Sequence, residues 1–126
     1  MSKLMIYLAC PYSHPDAAVR NYRFRNICRI AAALMREGYV VFSPLSHSVP
    51  IAEIGGIDDV DNDFWLAQDL PILRKCDELI VVELDGWESS KGVQAEIEEA
   101  KRLNIPIQNI EVIIRKQEDD KDDAER

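Results

Sequence analysis

In "SSKGVQAEIEEA", residues 89–100, a serine, a glycine and a glutamate stand at a spacing that suits chemistry. Ser90 can cap a helix, Gly92 allows close backbone approach, and Glu96 then lies one turn inside the same mouth. Unpaired backbone N–H groups at such a helix start form an anion-binding concavity. A phosphate or a sugar hydroxyl held there leaves Glu96 facing the adjacent carbon. Two further residues converge on this point: Tyr7, late in "KLMIYLA", and Asp69, in "FWLAQDLPILRKCDELIVV". Plainer readings stand beside these. The helix dipole favours Glu96, Glu98 and Glu99 near a helix start whatever their task. Ser90 is equally a plain cap, Tyr7 a core aromatic and Asp69 a solvated helix residue. Spacing alone leaves both sets open.

The elements that must position these residues follow from periodicity. Apolar runs at 3–9, 39–44, 78–84 and 107–115 are nearly continuous, as strands are when helices cover both faces of their sheet. Between Pro15 and Glu37, Phe24, Ile27, Cys28, Ala31, Leu34 and Met35 trace one helix face, with Asp16 at the start and Gly38 as the stop. A second helix is expected from Asp61 or Asp63 to Lys75, interrupted or bent near Pro71. A third runs from Ser90 or Gly92 to Asn104. The alternation predicts an α/β fold: a three-layer α/β/α sandwich with a parallel, flavodoxin-like (doubly wound) sheet. Ligands in such sheets sit beyond the carboxyl ends of the strands, at loops 10–15, 44–60 and 85–91. The stretch 44–60, "PLSHSVPIAEIGGIDDV", reads as a long loop serving as a lid or an oligomer contact.

The bulk properties narrow the classes. With 126 residues, 47% of them hydrophobic, the chain is one domain with a real core over 1–116. Residues 117–126, "QEDDKDDAER", read as an acidic, disordered tail that carries −4 of the net charge of −8. That charge argues against a nucleic-acid polymer as partner, and no apolar run is long enough to span a membrane. The opening "MSKLMIYLAC" lacks a signal-peptide layout, and Cys10, Cys28 and Cys76 read as buried thiols of a reducing cytoplasm. No Gly-x-Gly-x-x-Gly follows the first strand, and no Gly-Lys-Ser/Thr loop occurs. Cys10 meets Asp16, not Arg, where a phosphatase loop needs its arginine. The calcium-loop pattern from Asp59 fails at Phe64 and Leu70. His14 and His47 are the only histidines, so no metal is expected.

The same residues resemble the nucleoside 2-deoxyribosyltransferases and their relatives, the deoxynucleoside 5′-monophosphate N-glycosidases. The likeness lies in "IYLA" with Tyr7, in "DLPILRKCDELIVV" with Asp69 and Asp77, and in "SKGVQAEIEEA", over roughly residues 3–107. "YLACPYSHPD", "FSPLSHS" and "LDGWESSKGVQAEIE" are closer still to a family of short uncharacterised bacterial proteins of that fold. The resemblance implies that Glu96 is the nucleophile at the anomeric carbon, with a glycosyl-enzyme intermediate. It implies that Asp69 assists departure of the base and that Tyr7 orients Glu96. Ser90 and the amides around Gly92 would hold the 5′ end of the sugar, without metal or organic cofactor.

The nucleotide hydrolases of that group carry a Gly-Ser-Ile-Arg-type loop where this chain reads Ala9-Cys10-Pro11-Tyr12-Ser13-His14. Ser13, His14 or Arg20 would then supply the missing contacts, and a need for 5′-phosphate stays open. Tyr12, Trp65 and Trp87 are candidates for base stacking, with packing as the plainer role; His47 is a structural hydrogen-bonder or a ligand contact. The expectation is an N-glycosidase or deoxyribosyltransferase with a small-molecule nucleoside or nucleotide as partner, assembled as a homodimer or homotetramer. The alternatives are a non-catalytic nucleotide-binding or sensing module on the same fold and an assembly protein.

Overall fold

The computed structural model describes residues 4–112. Its elements are β1 (Met5–Ala9), α1 (Ala17–Arg36), β2 (Val40–Phe42), α2 (Pro44–Gly55), α3 (Asn62–Leu73), β3 (Glu78–Glu83), α4 (Lys91–Arg102) and β4 (Ile107–Glu111), with a single 3₁₀ turn at Trp87–Ser89. The strands form one four-stranded parallel sheet in the order β2-β1-β3-β4. This is the doubly wound α/β architecture that the alternation predicts. The expected tail at 117–126 and the expected strand positions Lys3 and 113–115 lie outside the described residues.

Strand side chains alternate between the faces, and the core divides accordingly. Ile6 and Leu8 of β1 join Ile80 and Val82 of β3 in the layer closed by Ile27 and Ala31 of α1. Tyr7 and Ala9, with Leu79 and Val81, point the other way, against Leu73 of α3 and Val93 and Ala100 of α4. Full burial of each large apolar side chain contributes ~1.5–3 kcal/mol. The two layers therefore hold even the short β2, whose Val41 and Phe42 pack into opposite ones. Tyr7 is the fully buried aromatic of its layer, with Phe42 and Trp87 packed against the same cluster.

Local signals end the elements where expected. The Asp16 carboxylate accepts from Ala18 N–H and starts α1. Gly38, at φ 99°, ends it. Its N–H bonds Met35 O and that of Tyr39 bonds Leu34 O, the paired closure of a helix at a left-handed glycine. Asp77 clamps β1 from below: its carboxylate accepts from Met5 N–H and its own N–H donates to Met5 O, each at 2.8 Å.

Two expectations are corrected. Residues 44–60 are not one long loop, because Pro44–Gly55 is a helix, α2. Ser43 caps it, Pro44 fills the first turn where no N–H is needed, and Gly56 at φ 72° closes it. Pro50 inside that helix masked its pattern. Of the two readings at Pro71, interruption or bend, interruption does not occur: the residue stands two positions from the end of α3, where only one backbone bond is lost. Among the described residues no helix is long and apolar enough to cross a membrane. Cys10, Cys28 and Cys76 are free thiols, with Cys76 buried and the other two half-buried.

Candidate active site

Helix α4 decides the site. Its N-cap Ser90 accepts from Val93 N–H, so the helix begins at Lys91 and its phase is set. Val93, Glu96 and Ala100 then fall on one face, and all are buried. Glu96 is therefore an acid on an apolar stripe, only 6% exposed. Glu98 is exposed, and Glu99 turns to Arg74 and Arg102 at 2.6 and 2.9 Å, which hold its carboxyl down at about 2. The helix-dipole account fits those neighbours and not Glu96.

What Glu96 meets in the interior is the phenol of Tyr7, which donates to Oε2. Tyr7 is fully buried, and burial first, then the charges of Glu96 and Asp69, raise its pKa, so it stays a donor. Burial pushes Glu96 up to about 8; the Tyr7 hydrogen bond opposes this and nearby Asp69 reinforces it. Asp69, one turn before Leu73 on the buried side of α3, is 8% exposed and raised to about 6 by burial.

Glu96 and Asp69 open into one cleft at the carboxyl end of the sheet. Its walls include Cys10, Tyr12 and Ser13 after β1, Ser48 of α2, Asp69 and Trp65 of α3, and Ser90, Gly92 and Glu96. Counting its open mouth, the empty space is about 590 Å³. The cavity itself, without that mouth, is about 80 Å³, below the ~300–1,000 Å³ range of small-molecule sites. A paired carboxyl and phenol, a second raised carboxyl and the amide-bearing start of a helix can together bind a polar small molecule and move a proton or form an ester at one carbon.

The structure thus gathers Asp69, Ser90, Gly92, Glu96 and Ser13 around one space, with Tyr7 buried behind Glu96 and not on the wall. His14 and Arg20 are not on its wall. His14 Nδ1 accepts from Asp16 N–H, and Arg20 donates to the carbonyls of His14 and Pro15 from a neighbouring groove between α1 and α2. Both serve the entry to α1. Of the aromatic candidates, Tyr12 and Trp65 line the cleft, whereas Trp87 packs on the core beside α4. His47 lies against the Phe42 ring, away from the cleft wall. Among the described residues no cluster of His, Cys, Asp or Glu is arranged to hold a metal.

Two contributors escaped the sequence reading. Arg23, 9% exposed, donates to the carbonyls of Tyr12, Ser13 and Asp85 and so staples the loop after β1 to the loop after β3. The signal was present: Arg23, Ile27 and Ala31 share one helix stripe. The other is Asp59, which accepts from the Tyr12 phenol at 2.6 Å and lines the cleft. Its spacing marks it only for the calcium-loop pattern that fails at Phe64 and Leu70.

A solved structure of a 2-deoxyribosyltransferase from the psychrotolerant bacterium Bacillus psychrosaccharolyticus is similar to this chain, with a TM-score of 0.61 and 22% identity. The match covers 90% of this chain and 78% of that one, and at this identity it speaks for the fold alone. No match was found among curated proteins. The family model described as "Domain of unknown function (DUF1937)" matches residues 4–112, and the chain belongs to that family.

Proposed function

We propose that the chain is an N-glycosidase or deoxyribosyltransferase that cleaves the N-glycosidic bond of a (deoxy)nucleoside or nucleotide through Glu96. The observation that carries this reading is the buried hydrogen bond from Tyr7 to Glu96, with Asp69 on the same cleft. The likeness in fold to a 2-deoxyribosyltransferase, a biocatalyst for nucleoside synthesis, supports it.

In the reaction, the ionised Glu96 attacks C1′ of the sugar while the C1′–N bond breaks and its electron pair leaves with the base. Tyr7 occupies Oε2, so Oε1 is the attacking atom. Asp69, raised to about 6 by burial, gives its proton to the departing base in the minor form that has it protonated and Glu96 ionised. Water then attacks C1′, the bond to Glu96 breaks, and Asp69 takes the proton of the water. A second base in place of water gives transfer instead of hydrolysis. Ser90 and the amides at Gly92 hold the far end of the sugar.

The test is a nucleoside and nucleotide panel scored for released base by chromatography. Wild-type protein releases base, Glu96→Gln loses at least a thousandfold of that activity with its circular dichroism unchanged, and Glu99→Gln retains it. Equal release by wild type and Glu96→Gln would remove Glu96 from the mechanism. A second reading has one observation in its favour: a carboxyl raised to about 8 is mostly protonated at neutral pH and can serve as a plain hydrogen-bond donor. A binding or sensing module of that kind holds a nucleotide for hours without product.

Self-association belongs to the same proposal. Ile51 and Ile54 of α2, with Val60 and Phe64 next to them in sequence, are exposed, Ile54 to 88%. Such apolar side chains suit a homodimer or homotetramer contact beside the cleft mouth. Light scattering at micromolar concentration reads it directly, and a monomer there would count against it.

A further inference from the structure

Asp59 has no task in the chemistry above, yet it lines the cleft. It lies in the turn between α2 and α3, and its Oδ2 accepts from the Tyr12 phenol, which belongs to the loop after β1, 47 positions earlier. The cleft holding Glu96 and the groove between α1 and α2 share Tyr12 and Asp59 as walls and no other residue. The pair is therefore a partition between two spaces. Arg20 lines the groove on the far side.

The groove adds one cation, Arg20, and one anion, Glu53, whereas the cleft carries anions only. Asp59, Asp69 and Glu96 line the cleft, and among the described residues no Lys, Arg or His does. The start of α4 offers about half a positive charge. A single ionised carboxylate outweighs that, and a phosphate monoester brings a further charge of about −1.5 to −2. Burial and the bond to Asp59 hold the Tyr12 phenol up at about 12, against the opposing effect of Arg20, so it remains a donor to that carboxylate.

We propose that the Tyr12–Asp59 pair is a selectivity barrier that bars a 5′-phosphate from the cleft, keeps Arg20 behind it, and restricts the substrate to unphosphorylated nucleosides. The inference rests on the glycosidic reading and names its substrate class.

The experiment compares each 2′-deoxynucleoside with its own 5′-monophosphate, by kcat/KM for base release, in wild type, Asp59→Asn and Asp59→Asn/Arg20→Gln. The wild type prefers the nucleoside by at least tenfold. Asp59→Asn narrows that ratio by about tenfold, and the added Arg20→Gln widens it again. A wild type that uses the monophosphate as well as the nucleoside, or an Asp59→Asn ratio equal to the wild type's, would overturn the proposal. If neither compound releases base, the glycosidic reading fails separately, and calorimetric binding of the same pairs decides the barrier. Tighter binding of the nucleoside, with the difference reduced in Asp59→Asn, supports it; equal binding overturns it.

Discussion

The Tyr7 hydroxyl donates to Oε2 of Glu96 across 89 positions of sequence, and both side chains are buried. Strand pairing makes this possible: β1 lies beside β3, and α4 returns over Tyr7 and Val81 on their common face. Tyr7→Phe keeps the ring and removes the donor. Leaving Glu96 Oε2 without this partner costs about 1–3 kcal/mol. Because that bond favours the ionised form, its loss raises the pKa of Glu96 further. Chemical denaturation will show the destabilisation. Base release at pH 7 will fall roughly 10–100-fold, and the alkaline limb of the profile will move up with Glu96.

Glu96 also makes stability depend on pH, with a definite sign. Its carboxyl sits at about 8 in the folded chain against an ordinary 4.5. Below about 4.5 both states hold the proton and nothing changes. Between the two values the folded chain keeps a proton that the unfolded chain has lost, so stability falls by ~1.4 kcal/mol per pH unit. Above about 8 the loss levels off at several kcal/mol in order of magnitude. Glu96→Gln removes the titration. The variant will match the wild type near pH 4.5 and exceed it in Tm at pH 8–9, a gain bought with activity. Parallel melting curves for the two proteins across pH 5–9 would refute this.

How much of this was legible in the sequence depends on what each residue is coupled to. The strands and three of the helices were, because their apolar periods and caps are local. Helix α2 was not: Pro50 and the paired glycines read as loop, although Ser43-Pro44 and Gly56 are its start and stop. Glu96 and Asp69 stood out by motif, and the physical signal behind them is an acid in phase with core residues, Val93 and Ala100 for one, Leu73 for the other. His14 and Arg20 stand off the cleft wall because their side chains bond the local backbone, which spacing does not encode. Asp59 was invisible because its partner, Tyr12, is brought to it only by the fold.

The stapling of the two cleft loops gives a prediction away from the acids. Gly86 holds φ 91°, and a Cβ built there stands 2.7 Å from Arg23 Nη2. That guanidinium reaches the Asp85 carbonyl at 2.8 Å and those of Tyr12 and Ser13 at 3.2 and 3.1 Å. Gly86→Ala therefore meets both a strained backbone and a displaced arginine. It will cost about 1–3 kcal/mol. KM will rise more than kcat falls, because the loop bearing Tyr12 and Ser13 loses its anchor while Tyr7 and Glu96 keep theirs. A variant with wild-type stability and unchanged KM would show that Arg23 swings aside at no cost.

The two raised carboxyls make the pH profile the sharpest test of the assigned roles. The proposed reaction requires Glu96 ionised and Asp69 protonated, yet Glu96 titrates at about 8 and Asp69 at about 6. The working form is thus the minor singly protonated one, and the rate still follows a bell with limbs near about 6 and about 8. Asp69→Asn removes the acid that must stay protonated, so the alkaline limb disappears. It also removes a neighbouring charge that raises Glu96. The variant's slower rate will climb once, through a value at or somewhat below about 8, and stay flat above it. Stopped assays of kcat/KM from pH 4.5 to 10 distinguish the two shapes. A bell of the same width in Asp69→Asn would mean that some other group delivers the proton to the base.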